Sequence, residues 1–198
     1  MRRILTRESK ERKERRGKII IGLFLVAIMV LGTAGYAFFS GSRENVEKIK
    51  YNDIEFVLGE NNLWGFEIQG SGQTFHFQTQ YNPKETENIS IPVFMTVNNY
   101  AGRTLFFVGK GTAKQEIIQN LWNFISKPND ACLDGYEDIC GEDVPIKNCS
   151  EDNIIIIEEG EYIEVNQEDN CVFISSPPEE QARVADAFLF RILGVKGF

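Results

Sequence analysis

The stretch 51-YNDIEFVLGENNLWGFEIQGSGQTFHFQTQ-80 contains three successive runs in which apolar and polar residues alternate. Ile54, Phe56 and Leu58 make the first run, Trp64, Phe66 and Ile68 the second, and Phe75 and Phe77, flanking His76, the third. Side chains along a strand point alternately to opposite faces, so each run is a strand with one apolar face. Glu60-Asn61-Asn62 and Gly70-Ser71-Gly72 supply turn residues at the breaks. Strands joined by such short turns pair as neighbours, which predicts an antiparallel meander over about residues 51–80.

Downstream, Asn82-Pro83 stops the meander and residues 84–91 form a polar loop. Val93–Val97 is expected as a strand, Asn98–Gly102 as a turn and Thr104–Val108 as an apolar strand. Thr112 is placed to cap a helix in which Ala113, Ile117, Leu121 and Phe124–Ile125 recur at helical spacing, with Ile118 and Trp122 widening the stripe and Lys127-Pro128 ending it. Residues 129–152 are expected as an irregular loop, followed by a strand at Ile154–Ile157 whose unbroken apolar run fits burial on both faces. Glu158-Glu159-Gly160-Glu161 turns the chain into a short strand around Tyr162–Val165, and Cys171–Ile174 is the last strand. Ser176, Pro177, Pro178, Glu179 and Glu180 have the chemistry of a helix start. Val184, Phe188 and Ile192 then follow at helical spacing, with Gly194 at the C-terminal cap. A βα unit over 104–126 and a ββα unit over 161–193 give an α+β fold: a mostly antiparallel sheet with two packed helices in one domain, 51–198.

Upstream of a polar tether at 40–50, residues 19–39 (IIIGLFLVAIMVLGTAGYAFF) run for 21 positions without a charge. At about 1.5 Å per residue such a helix spans the roughly 30 Å hydrocarbon core. Residues 1–18 carry nine basic and three acidic groups, net +6; with −8 on the whole chain, residues 19–198 carry −14. Basic flanks stay cytoplasmic, so the expected topology is a single-pass anchor with the head inside, membrane lipid around 19–39, and the C-terminal domain outside. Two other fates fit the same residues. A cleavable signal could end at Gly32-Thr33-Ala34 or Gly35-Tyr36-Ala37. Arg15-Arg16-Gly17 before an apolar helix resembles the leader of type IV pilins, which implies cleavage after the glycine and packing of the helix into a filament. Against that resemblance, Lys18 would be the first mature residue and Gly22 stands where bacterial pilins carry a glutamate.

All four cysteines, Cys132, Cys140, Cys149 and Cys171, lie in the expected exterior domain and none forms a CxxC pair. An even number confined there predicts two disulfides rather than a zinc or redox site. Four cysteines allow three pairings, and spacing does not choose among them. The preferred one, Cys132–Cys140 with Cys149–Cys171, closes the loop LDGYEDI and ties the residues before one strand to the start of another. Asn88-Ile89-Ser90 and Asn148-Cys149-Ser150 are acceptor sequons for glycosylation. The acidity of the domain argues against a nucleic-acid partner and leaves protein or envelope components as the partner class.

No catalytic constellation emerges. His76 is the only histidine and is expected on the polar face of its strand. Gly109-Lys110-Gly111-Thr112 lies between a strand and a helix, but Thr104 stands at the first glycine position of a phosphate-binding loop, so a plain strand–helix turn is expected. Asp130, Asp134, Glu137, Asp138, Glu142 and Asp143 lack the spacing of a calcium loop, and Glu158, Glu159 and Glu161 fit a solvated turn. In the membrane run, Thr33 and Ala37 are a weak small-residue pair without a full G-x-x-x-G. No catalytic, cofactor or metal residue is therefore expected. The basic head, the single span and the layout Cys132/Cys140/Cys149, Asn170-Cys171, Phe188-Leu189 and Ile192-Leu193-Gly194 resemble single-span membrane proteins of small-genome archaea. That resemblance carries over no activity and no functional residue. The expectation is a non-enzymatic binding or envelope-associated domain, with a filament subunit and an envelope enzyme as the alternatives.

Overall fold

The computed structural model describes residues 22, 24–26, 28, 29, 46–70, 72–140 and 143–195, and the chain divides into two compact units, 1–45 and 46–198. In the first unit the six described positions are helical, and Phe24, Leu25, Val26, Ile28 and Met29 are exposed. Among the described residues no helix is long and apolar enough to cross a membrane. The basic head and the rest of the expected span 19–39 lie outside the described residues.

In the second unit, β1 (Lys48–Tyr51), β2 (Ile54–Leu58), β3 (Trp64–Gly70) and β4 (Gln73–Thr79) pair in sequence order, every pair antiparallel. The meander begins earlier than the alternation suggests, because Lys48–Lys50, expected in the tether, extend β1 through a hairpin at Asn52-Asp53. Both turn residues have positive φ (45° and 65°), as a two-residue type I′ hairpin requires. The inner face is aromatic. Phe56, Phe66 and Phe77 stack in a row across three strands, with ring centroids 4.6 and 5.2 Å apart.

The remaining strands build a second sheet in the order β10-β11-β9-β5-β6. These are β5 (Thr104–Val108), β6 (Lys127–Asp130), β9 (Asn153–Glu159), β10 (Glu164–Glu168) and β11 (Cys171–Ser176); β7 (Cys132–Leu133) and β8 (Ile146–Lys147) form a separate short pair. β11–β9, β9–β5 and β5–β6 are parallel, and β10–β11 alone is antiparallel. The α+β class with an antiparallel sheet and helices therefore holds, but the expectation of a mostly antiparallel sheet fails for this second sheet. The cause is the crossover helix α2 (Thr112–Leu121), which returns the chain from β5 to a parallel neighbour.

Three further details differ from expectation. Residues 89–96 form no regular element and pair with no strand, with Ile89, Ile91, Val93 and Met95 buried and the Val93 N–H bonded to the Ile91 carbonyl at 2.8 Å. The Gln167 side chain instead accepts the N–H groups of Phe94 (2.7 Å) and Met95 (3.3 Å). Val97–Tyr100, expected as strand end and turn, is the one-turn helix α1, nucleated by a Thr96/Asn99 capping box. α2 stops at Leu121, so Trp122 is exposed, and Lys127-Pro128 starts β6.

Helix α3 (Gln181–Ile192) lies between the sheets. Val184, Phe188 and Ile192 pack on the second sheet with Leu105, Phe107, Ile155, Ile157, Val172 and Ile174, while Phe190 packs on the meander, 5.8 Å from Phe56 and 5.7 Å from Phe66. A helix buried on opposite faces is apolar nearly all round, which explains AxVAxAFLFxI better than one amphipathic stripe does. The opposite face of the second sheet (Phe106, Val108, Ile154, Ile156, Cys171) is covered by residues of the 131–152 excursion, including Leu133, Tyr136 and Ile139. Two disulfides hold that excursion. Cys132–Cys140 closes a loop within it, and Cys149–Cys171 ties its end to β11.

Candidate functional site

The outer face of the meander is set by the same alternation that builds its core. Glu55 and Val57 on β2, Gly65, Glu67 and Gln69 on β3, and His76 and Gln78 on β4 line a depression of about 730 Å³. His76 is exposed, as expected, and sits directly across from Glu67, with Nδ1 3.1 Å from the carboxylate. Lys48 pairs with Glu55 across β1 and β2 at 2.8 Å. The floor is Gly65, where an added Cβ would find nothing closer than the Val57 carbonyl at 3.8 Å. Glycine inside a strand sacrifices side-chain packing and conformational entropy, and it often marks a place where a ligand or another backbone comes close. No intramolecular contact demands glycine at position 65.

The Gly109-Lys110-Gly111-Thr112 loop is a strand–helix turn, as expected, but Thr112 is not the cap. Gly111 is the N-cap, and the Thr112 N–H donates to Oε1 of the buried Gln181 at 3.0 Å. Gly111 has φ +144°, and a Cβ there would overlap the Gln181 amide. One of the free N–H groups at the α2 N-terminus is thus already taken by α3, which leaves less for a phosphate to bind.

The carboxylates disperse. Asp130 pairs with Lys114, and Glu137 accepts the Gly135 N–H at 3.1 Å. A hydrogen bond from its own backbone first, then the one from Gly135, holds the Glu137 carboxyl below its ordinary range. Glu142 lies outside the described residues. β9 continues through Glu159, so Glu158 and Glu159 take opposite faces and Glu161 stands in the turn. Among the described residues, no three His, Cys, Asp or Glu side chains converge on a metal position. Both sequon asparagines are exposed. Asn88 accepts from Arg183 at 2.6 Å, and Asn148 Oδ1 accepts from the Ser150 and Glu151 backbone N–H groups.

A polar cluster that the sequence did not single out pins the end of β4 to the helices. Asn120 Oδ1 accepts the Gln78 N–H (3.1 Å), Glu116 Oε2 accepts from the Gln80 amide (3.1 Å), and Asp186 Oδ2 accepts the Tyr81 N–H (2.8 Å). Asp186 is fully buried, and with both carboxyls ionised its other oxygen has no hydrogen-bond partner. Burial first, then the facing Glu116 carboxylate, pushes its pKa up to about 9. At neutral pH Asp186 is protonated, and that proton supplies the missing hydrogen bond toward Glu116. The helical spacing of Glu116 and Asn120, four residues apart on α2, was the only trace of this cluster in the sequence.

Comparison with known proteins gives no match: no family model, no curated protein and no solved structure aligns with the chain.

Proposed function

We propose that the chain is an extracytoplasmic binding domain held at the membrane by residues 19–39, non-enzymatic, with its protein or envelope partner seated on the outer face of the meander. The observation that carries this reading is Gly65, a bare strand interior at the floor of a depression walled by Glu55, Glu67, His76 and Gln78. Its mixture of apolar floor and polar wall is that of a recognition surface. The placement outside is supported by the closure of all four cysteines into disulfides, which persist in oxidising compartments.

Two experiments test it. Protease added to intact cells should digest residues 46–198 and spare the head, and mass spectrometry of the native N-terminus should find residue 1 or 2 rather than a cut after Gly17, Ala34 or Ala37. For the surface, a photo-crosslinking residue at Gln69 in the full chain should capture a partner. Gly65→Val, which fills the floor without disturbing the core, should abolish the crosslink. An undiminished crosslink in a folded Gly65→Val chain rules out this face.

A further inference from the structure

β10 is the outermost strand of its sheet, and among the described residues no backbone hydrogen bond joins it to a further strand. Alternate residues of such an edge turn their N–H and C=O groups outward, which makes it a template for an added strand. Unpaired edges are usually blunted or covered; here the Gln167 side chain ties one end of the strand to Phe94 and Met95, while the rest lies between two depressions that share Glu164 and Asn166.

The two depressions differ in chemistry. Cross-strand register places Glu164, Ser175 and Glu158 in one row and Asn166, Phe173 and Ile156 in the next. Tyr136 lies over Phe173, ring centroids 5.9 Å apart, and closes a depression of about 320 Å³ that also takes in Glu168. Glu158, Glu164 and Glu168 make no ion pair among the described residues; Lys110 shares a neighbouring crevice with Glu158 but does not pair with it. On the other side, a cleft of about 400 Å³ lies between β10 and segment 88–92, lined by Ile89, Pro92, Ile163 and Val165 together with the polar Asn88 and Ser90. Phe94 and Tyr162, both almost fully exposed, stand near opposite ends of the strand.

We propose that β10 is a docking edge for an extended basic segment of a partner protein. Its backbone extends the sheet, its Lys or Arg side chains at every second position reach the Tyr136–Phe173 depression, and the intervening apolar side chains enter the cleft beside Ile89 and Ile163. The strand period of two sends successive side chains to opposite faces, which matches one acidic, aromatic depression and one cleft with an apolar part at Ile89, Pro92, Ile163 and Val165 on either side of the edge. Three carboxylates without a cation and two aromatic rings favour ammonium or guanidinium groups through charge and cation–π attraction. This edge is distinct from the meander face, and its occupation does not depend on that site or on membrane topology.

The probe is a fluorescein-labelled, end-capped peptide of four Lys-Val repeats, titrated by anisotropy into the full chain in zwitterionic detergent. Saturable binding that weakens with salt is expected. Glu164→Lys with Glu168→Lys should reduce affinity at least tenfold, and N-methylation of alternate peptide nitrogens should do the same. If circular dichroism shows the double lysine variant misfolded, Glu164→Gln with Glu168→Gln replaces it and should still lose several-fold. Gly65→Val should bind the peptide normally, which separates this edge from the meander site. Absence of saturable binding, equal affinity for the N-methylated peptide, or indifference to both double variants would overturn the proposal. So would sedimentation showing a concentration-dependent dimer that the Glu164/Glu168 variants abolish, because the occupant would then be a second copy of the chain.

Discussion

Asp186 couples the stability of the fold to pH in a direction opposite to that of most carboxylates. Its pKa is raised from the ordinary 3.8 to about 9 in the folded chain, so the native state holds a proton that the unfolded chain has released. Its contribution is complete below about pH 4 and is lost as pH rises toward 9, with a limiting slope of about 1.4 kcal/mol per pH unit. Asp186→Asn keeps an acceptor for Tyr81 and a donor for Glu116 without a titrating proton. Urea unfolding should therefore find the variant close to the native chain at pH 5 and more stable than it at pH 9. The two glycines that matter behave oppositely. Gly65→Ala should stabilise by about 0.5–1 kcal/mol, because the backbone is ordinary strand and space is open. Gly111→Ala should destabilise by more than about 1 kcal/mol, because its φ is positive and Gln181 occupies the Cβ position. His76→Ala should stay within about 0.5 kcal/mol, since both His76 and Glu67 are mostly exposed.

At the level of elements, the two disulfides close loops of different length, with sequence separations of 8 and 22. Chain entropy assigns about 2.5 kcal/mol to the shorter and about 3.5 kcal/mol to the longer. Replacing Cys149 and Cys171 together should therefore lower the denaturant midpoint more than replacing Cys132 and Cys140, all the more because Cys171 is buried in the sheet. The meander, the α2 and α3 positions and the burial of Ile154–Ile157 were legible from periodicity, because local alternation and helical spacing report one-sided burial directly. Strand direction in the second sheet was less so. LFFV at 105–108 and IIII at 154–157 carry the unbroken apolar signature of parallel strands, but that signature does not name the neighbour. Val93–Val97 reads as a strand although residues 93–96 pair with none, because alternating burial does not require a backbone partner; Ile89 and Ile91, read as part of a polar loop, are buried in the same way. The Asp186–Glu116 contact joins residues 70 positions apart, beyond the reach of any local pattern.

On the scale of the whole molecule, Phe190 is the aromatic residue through which α3 packs on the meander, and Phe190→Ala should cost about 3–5 kcal/mol. Hydrogen exchange measured on that variant should accelerate first across β1–β4, while amides of β5, β9 and β11 stay protected by Phe188 and Ile192 on the other side of the helix. Trp64→Ala, at the same interface, should show the same order of loss. The central place of α3 also sets a clock on biosynthesis. Every strand of both sheets precedes this helix in the chain, so neither apolar surface is fully sealed until it has been made. From Phe77 to Phe190 the ribosome needs roughly 6–23 seconds at ordinary elongation rates, and for more than half of that interval the phenylalanine row of the meander is covered only by Phe124. A holding chaperone added to a cell-free translation should therefore raise the folded yield, and slowing translation between these two codons should raise aggregation.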